Sequence, residues 1–188
     1  MSSSPTQTLP LAQGTWTVDK NHSGISFAIK HLGLTNVRGR FDRFDATLVV
    51  GDGLDDVKVT ADVDLSSVNT NQPDRDAHLM GTDFFHADSH PMMTFASTKI
   101  VPHGSEEYEL TGDLTINGIT KPVTFHVDFE GSEVFPADQK LHAGFTLTGE
   151  LRRGDFGIDF NMPIGLHKVA LGEKVKIEID VQFVEPSA

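Results

Sequence analysis

The chain contains no cysteine. That excludes disulfides, thiolate nucleophiles and cysteine-ligated zinc or iron–sulfur centres. Basic residues are scarce: 15 Lys and Arg stand against 27 Asp and Glu, for a net charge of -12 and a pI near 5.0 over 188 residues. Such a balance argues against nucleic acid as a partner, because phosphates are repelled, and equally against a polybasic patch for anionic membranes. No run approaches the ~20 apolar residues that a spanning helix requires. The opening MSSSPTQTLPLAQG has neither a basic start nor an apolar stretch of signal length, so a cytoplasmic location is expected. Catalytic signatures are missing as well. There is no GxSxG elbow, HExxH, phosphate loop or GxGxxG after a strand, and the RGDFG stretch has no kinase-like companions. Nothing in the pattern calls for a cofactor or a metal. His78, His86 and His90 have no fixed helical register and read as solvated turn histidines.

What the chain does have is alternation of period two. Ile25-Phe27-Ile29-His31, Val57-Val59-Ala61-Val63-Leu65, Val123-Phe125-Val127-Phe129 and Val175-Ile177-Ile179-Val181-Phe183 each interleave with polar residues. Each series predicts a strand with one apolar and one wet face. Weaker strands are predicted near residues 41–50, 94–101, 108–116 and 141–151, with a short one near Trp16. Asn117-Gly118 between two runs signals a type I′ hairpin, and Gly51-Asp52-Gly53 marks another turn. Without a strand–helix–strand repeat, a parallel sheet is disfavoured. About eight long strands suit a closed antiparallel barrel or a two-sheet sandwich, and periodicity alone does not choose between them. Residues 1–12 are expected to form a flexible lead-in and residues 13–186 a single domain.

One stretch breaks the alternation: TNQPDRDAHLMGTDFFHADSHPMMTFAST, Thr70–Thr98. Pro73 suits the first position of a helix, and Asp74 and Asp76 suit its first turn. Gly81 is placed to end the helix in a left-handed conformation. A short helix over residues 73–81 is therefore predicted, with Arg75, His78 and Leu79 on one face and Phe84 and Phe85 just beyond it.

This block resembles the YceI family of lipocalin-like, isoprenoid-binding proteins. TWTVDKNHSGISFAIKHLG (Thr15–Gly33), NVRGRFDRF (Asn36–Phe44), YELTGDLTINGITKPVTFHV (Tyr108–Val127), RGDFGI (Arg153–Ile158) and LGEKVKIEID (Leu171–Asp180) also resemble the family pattern, in its order. The resemblance selects an all-β, eight-stranded antiparallel lipocalin-like barrel with one short helix. It also bears on the interior. Inward-phased phenylalanines could plug the barrel, whereas the small inward residues Ala61, Gly112, Ala143 and Gly149 leave room for a tunnel. The resemblance favours the tunnel.

The implied function is binding, transport or storage of a long apolar ligand, a polyisoprenoid or an isoprenoid quinone. Its lumen wall is expected from Phe27, Ile29, Ala61, Val63, Phe95, Leu114, Phe125, Val127, Phe145 and Ile179. A mouth that meets a polar head group is expected from His31, Arg38 and Arg75, with His78, Leu79, Phe84 and Phe85 beside them. Two rival readings share the barrel. One is an isomerase or cyclase with His31, Arg75 or His78 as its polar catalysts; the other is a sequestering binder of broad specificity. The family further implies a homodimer, and transient contact with a membrane is an additional expectation. Many of its members look exported, which sets the expected cytoplasmic location apart.

Overall fold

The structure is a computed structural model and describes residues 7–187. Eleven strands form one sheet: β1 (Gly14–Val18), β2 (Gly24–His31), β3 (Thr35–Phe41), β4 (Phe44–Val50), β5 (Lys58–Asp64), β6 (Val68–Asn69), β7 (Met92–Pro102), β8 (Glu107–Ile116), β9 (Ile119–Phe135), β10 (Lys140–Arg152) and β11 (Leu171–Val184). A single α-helix, α1 (Pro73–Met80), sits between β6 and β7.

Every named pairing in the sheet is antiparallel, and the β1–β11 pairing closes it into an eight-stranded barrel. Eleven segments make eight walls because several are halves of one wall. β1 and β2 both run along β11, through Thr17↔Val184 and Val18↔Phe183 at one end and Ile25↔Ile179 to His31↔Leu171 at the other. β3 and β4 likewise follow each other along β2 and β1. The chain leaves the wall between the first two halves at residues 19–23. There the Asp19 amide donates to the Gln182 carbonyl at 2.8 Å, and the Gln182 amide donates to the Ser23 hydroxyl at 3.0 Å. A side chain thus replaces a backbone partner in the ladder.

Alternation does what period two requires. In β8, Tyr108, Leu110, Leu114 and Ile116 are buried while Glu107, Glu109 and Asp113 are exposed. The Asn117-Gly118 turn joins β8 to β9 with φ of 54° and 71°, the two positive values that a type I′ turn needs. The Arg153–Phe156 turn ends at Gly157 with φ of 70°. It is held by Arg153, which is buried yet satisfied, since its guanidinium donates to the carbonyls of Ile158 and Phe160 at 2.8 Å and of Gly172 at 2.9 Å.

The helix begins where the sequence predicts. Pro73 opens it, and the Gln72 side chain caps the Arg75 amide at 2.6 Å. Its end differs. Gly81 has φ of -76°, not a left-handed value, and its amide bonds to the His78 carbonyl at 3.1 Å. The left-handed residue comes later, at His86 (φ 50°), whose amide also reaches back to Gly81.

The two ends of the barrel differ. One end carries α1, the β2–β3 and β8–β9 turns and the loop before β11. The other carries residues 7–12 and the β7–β8 and β9–β10 turns. Of the expected flexible lead-in, residues 1–6 lie outside the described residues. Residues 7–12 lie against the barrel: Leu9 is buried, the Gln7 carbonyl accepts from the Leu54 amide at 3.1 Å, and the Ala12 carbonyl accepts from the Trp16 indole at 2.9 Å.

Candidate functional site

The barrel encloses an apolar cavity of about 150 Å³. Its wall comes from β4, β5, β7–β11 and the start of β2 (Gly24 and Ile25), and Leu9 of the lead-in covers one side. No polar atom faces the space, although Ser23, Thr94, Tyr108 and Asp180 belong to the wall. Burial, together with Glu106, pushes the Tyr108 phenol above its usual value, so it stays neutral beside the cavity. A wholly apolar space of this size suits a group about as large as one benzene ring.

The aromatic rings around it lie along the wall. Phe95 and Phe125 meet edge to face at 5.7 Å and Phe145 and Phe183 at 6.3 Å, while Phe129 and Phe145 are tilted at 5.2 Å. Glycines on neighbouring strands make the flat placement feasible. Phe95 lies over Gly112 and Phe125 over Gly149, where an added Cβ would come within 2.6 Å of the Phe125 ring. Gly112 and Gly149 are thus seats for phenyl rings, whereas Ala61 borders the cavity itself.

Eight of the ten residues read as lumen wall line this cavity: Ala61, Val63, Phe95, Leu114, Phe125, Val127, Phe145 and Ile179. Phe27 and Ile29 share the inward phase of β2 but stand outside the cavity. Phe27 packs on Phe41 at 5.5 Å and over Gly39, nearer the helix. Leu9 is the wall residue that alternation had no means of finding; the only signal was its apolar character, with Leu11, in a polar lead-in.

None of the seven residues read as a mouth lines the cavity. Arg75 is turned to Thr70, donating to its hydroxyl and its carbonyl at 2.8 Å. Asp76 accepts from the Thr70 amide at 2.8 Å and hydroxyl at 2.5 Å, so the helix and the end of β6 are tied together by their own polar groups. His78 bonds to Asp83 at 2.8 Å and sets its ring edge-on to Phe84 and Phe160, each at 5.0 Å. Leu79, Phe84 and Phe85 close the helix end of the barrel, with Leu79 and Phe85 packing against both hydrophobic clusters. Arg38 stands on the outer wall opposite Ala28, and His31 ends β2 opposite Thr35 and Leu171.

Two polar clusters lie apart from the cavity. Where β1 leaves the wall, the buried His142 ring reaches Asp138 at 2.9 Å and Asp19 at 3.5 Å, and His22 bonds to Asp19 at 2.7 Å. Burial alone would raise the Asp19 carboxyl. Hydrogen bonds from His22 and the Asn21 amide, with the charge of the two histidines, hold it below the usual carboxylate range. The hydrogen bond from His142 lowers Asp138 in the same way. On the outer wall, ligand atoms of Glu107, His126 and Asp128 lie within 4.8 Å of one another, the only such grouping among the described residues. It is solvated, and His126 is already paired with Asp128 at 3.1 Å.

With this geometry in view, comparison with known proteins gives a consistent result. Residues 16–183 match the family model for the YceI-like domain. A UPF0312 protein of Staphylococcus aureus is 39% identical over 170 residues, covering 89% of this chain and 96% of the relative. Among solved structures, the YCEI protein of Campylobacter jejuni superposes with a TM-score of 0.71 at 31% identity, covering 85% of this chain and 91% of that one. BcnA of Burkholderia cenocepacia superposes at 0.75 with 22% identity, covering 88% and 98%. A polyisoprenoid binding domain from Saccharophagus degradans superposes at 0.68 with 11% identity, covering 91% and 98%. The last two likenesses are of fold.

Proposed function

The chain belongs to the YceI-like family, and from that premise we propose that its barrel binds and carries a long apolar ligand, a polyisoprenoid or the tail of an isoprenoid quinone. The observation that carries this reading is the cavity: a closed wall that presents no polar atom to the space inside. Such a space stabilises hydrocarbon and gives a reacting group nothing to exchange a proton with, which favours a binder over an isomerase or cyclase. The polyisoprenoid binding domain of Saccharophagus degradans shares the fold and supports the choice of ligand class.

The size of the cavity sets how such a ligand enters. About 150 Å³ receives only a short piece of a prenyl chain. A longer tail needs Leu9 to move aside and the Phe95 and Phe125 rings to swing from their seats. A bilayer also solvates such a tail, so transfer out of a membrane gains little. That suits carriage and storage rather than irreversible extraction.

The test is organic extraction and mass spectrometry of the protein purified from its native host, followed by thermal melting with added polyprenols and quinones. A copurifying prenyl lipid and a raised melting temperature are expected, and Ala61→Leu, which fills part of the cavity, should weaken both. Protein free of any apolar ligand that also melts unchanged with every added prenyl lipid would overturn the reading.

A further inference from the structure

Ten large apolar side chains are exposed among the described residues, and six of them belong to two adjoining loops. Leu32 and Leu34 form the β2–β3 turn; Met162, Ile164, Leu166 and Val169 form the loop before β11. Leu166 is 90% exposed, Leu34 76% and Met162 57%. The loops are held together and in shape by backbone bonds. The Leu32 amide donates to the Ala170 carbonyl at 2.7 Å, Ala170 to Met162 at 2.9 Å, and Ile164 to Lys168 at 3.0 Å. The longer loop leaves the core at Phe160, whose ring packs on His78 and Phe84, so the leucines project from the helix-capped end of the barrel.

The two loops and the strands that carry them are locally free of acidic residues, although α1 and the turn after it bring Asp74, Asp76 and Asp83 to the same end. Residues 24–41 and 160–172 contain Lys30, Arg38, Arg40 and Lys168 but no Asp or Glu, in a chain of net charge -12. Arg40 is paired with Asp42 at 2.7 Å, whereas Lys30 and Lys168 flank the exposed leucines in sequence. A contiguous apolar patch rimmed by polar groups marks an interaction site. This one protrudes, with Leu34 and Leu166 standing furthest into solvent. A projecting apolar tip with lysines behind it suits a soft layer with an apolar interior and an anionic face.

We propose that this two-loop tip docks the protein on an anionic lipid bilayer, with Leu34, Met162 and Leu166 in the headgroup–acyl boundary and Lys30 and Lys168 against lipid phosphates. Docking turns the helix-capped end toward the membrane. It requires no ligand in the lumen, so it stands or falls apart from the function proposed above.

The test is flotation of the full chain with vesicles of phosphatidylcholine alone and of phosphatidylcholine with phosphatidylglycerol. The protein should float with the anionic vesicles, less with the neutral ones, and less at high salt. The double variant Leu34→Glu, Leu166→Glu should bind about tenfold more weakly or worse, and Lys30→Glu, Lys168→Glu should remove the preference for anionic lipid. These positions are exposed, so unchanged melting temperatures verify folding. A Leu166→Trp variant gives a second readout: its emission should shift to the blue on adding anionic vesicles, against the fully buried Trp16 as background. Absence of flotation, equal flotation of wild type and both double variants, or an unmoved Leu166→Trp spectrum would overturn the proposal. So would a dimer that Leu34→Glu, Leu166→Glu splits while vesicles bind neither form, because the tip would then seat a second copy.

Discussion

At the scale of the residue, the cavity depends on where single hydrogens stand in for side chains. Gly149 lies opposite Phe125 across β9 and β10, and the ring occupies the place a methyl would take. Gly149→Ala should therefore push the ring toward the lumen. The expected cost is about 1–3 kcal/mol from overpacking, read as a fall in the denaturation midpoint. The same change should shrink the cavity, so uptake of a prenyl lipid should fall more than stability does. The sequence shows which residues point inward but not where a ring rests. Alternation names Phe125 and Phe27 equally as wall residues, yet Phe125 borders the cavity and Phe27 is drawn over Gly39 toward Phe41. Which glycine seats which ring depends on cross-strand register, and a single strand's pattern does not contain it.

At the scale of the element, strands were the legible part. Series such as Val175–Phe183 announce both the strand and its buried face, and Pro73 with Asp74 and Asp76 announces the start of the helix. The helix's polar residues were harder to read. Arg75 and Asp76 close on Thr70, and His78 closes on Asp83. A charged side chain near a barrel rim is as easily consumed by local bonds as offered to a ligand. The departure of the chain from the wall at residues 19–23 was also hidden, because it is fixed by Gln182, far along the sequence. That departure is braced by Asp19, His142 and Asp138, and the brace has a consequence for acid stability. Both carboxyls sit below their ordinary value in the fold. Their contribution is complete above about 3.9, the unfolded carboxylate value, and is lost as pH falls through the lower folded values. Thermal midpoints recorded from neutral pH down to about 2 should fall steeply below about 4 in the wild type. Asp19→Asn should melt lower at neutral pH and fall less steeply in acid; identical profiles would show that the brace contributes nothing.

At the scale of the whole molecule, the closed hoop leaves only the two-residue β6 at an open edge, and the core is built around a space it does not fill. Hydrostatic pressure acts on that space directly. Unfolding eliminates internal free volume, and proteins with more of it lose more volume when they open, within roughly 20–100 mL/mol. With an apolar space of about 150 Å³ inside it, this barrel should lie toward the upper part of that range. High-pressure fluorescence or NMR would check this, and Ala61→Leu should raise the pressure of half-unfolding even where it leaves the melting temperature little changed. Compression thus gauges occupancy: a guest lodged among the phenyl rings would make the protein stiffer to squeezing, whatever the chemistry of its far end.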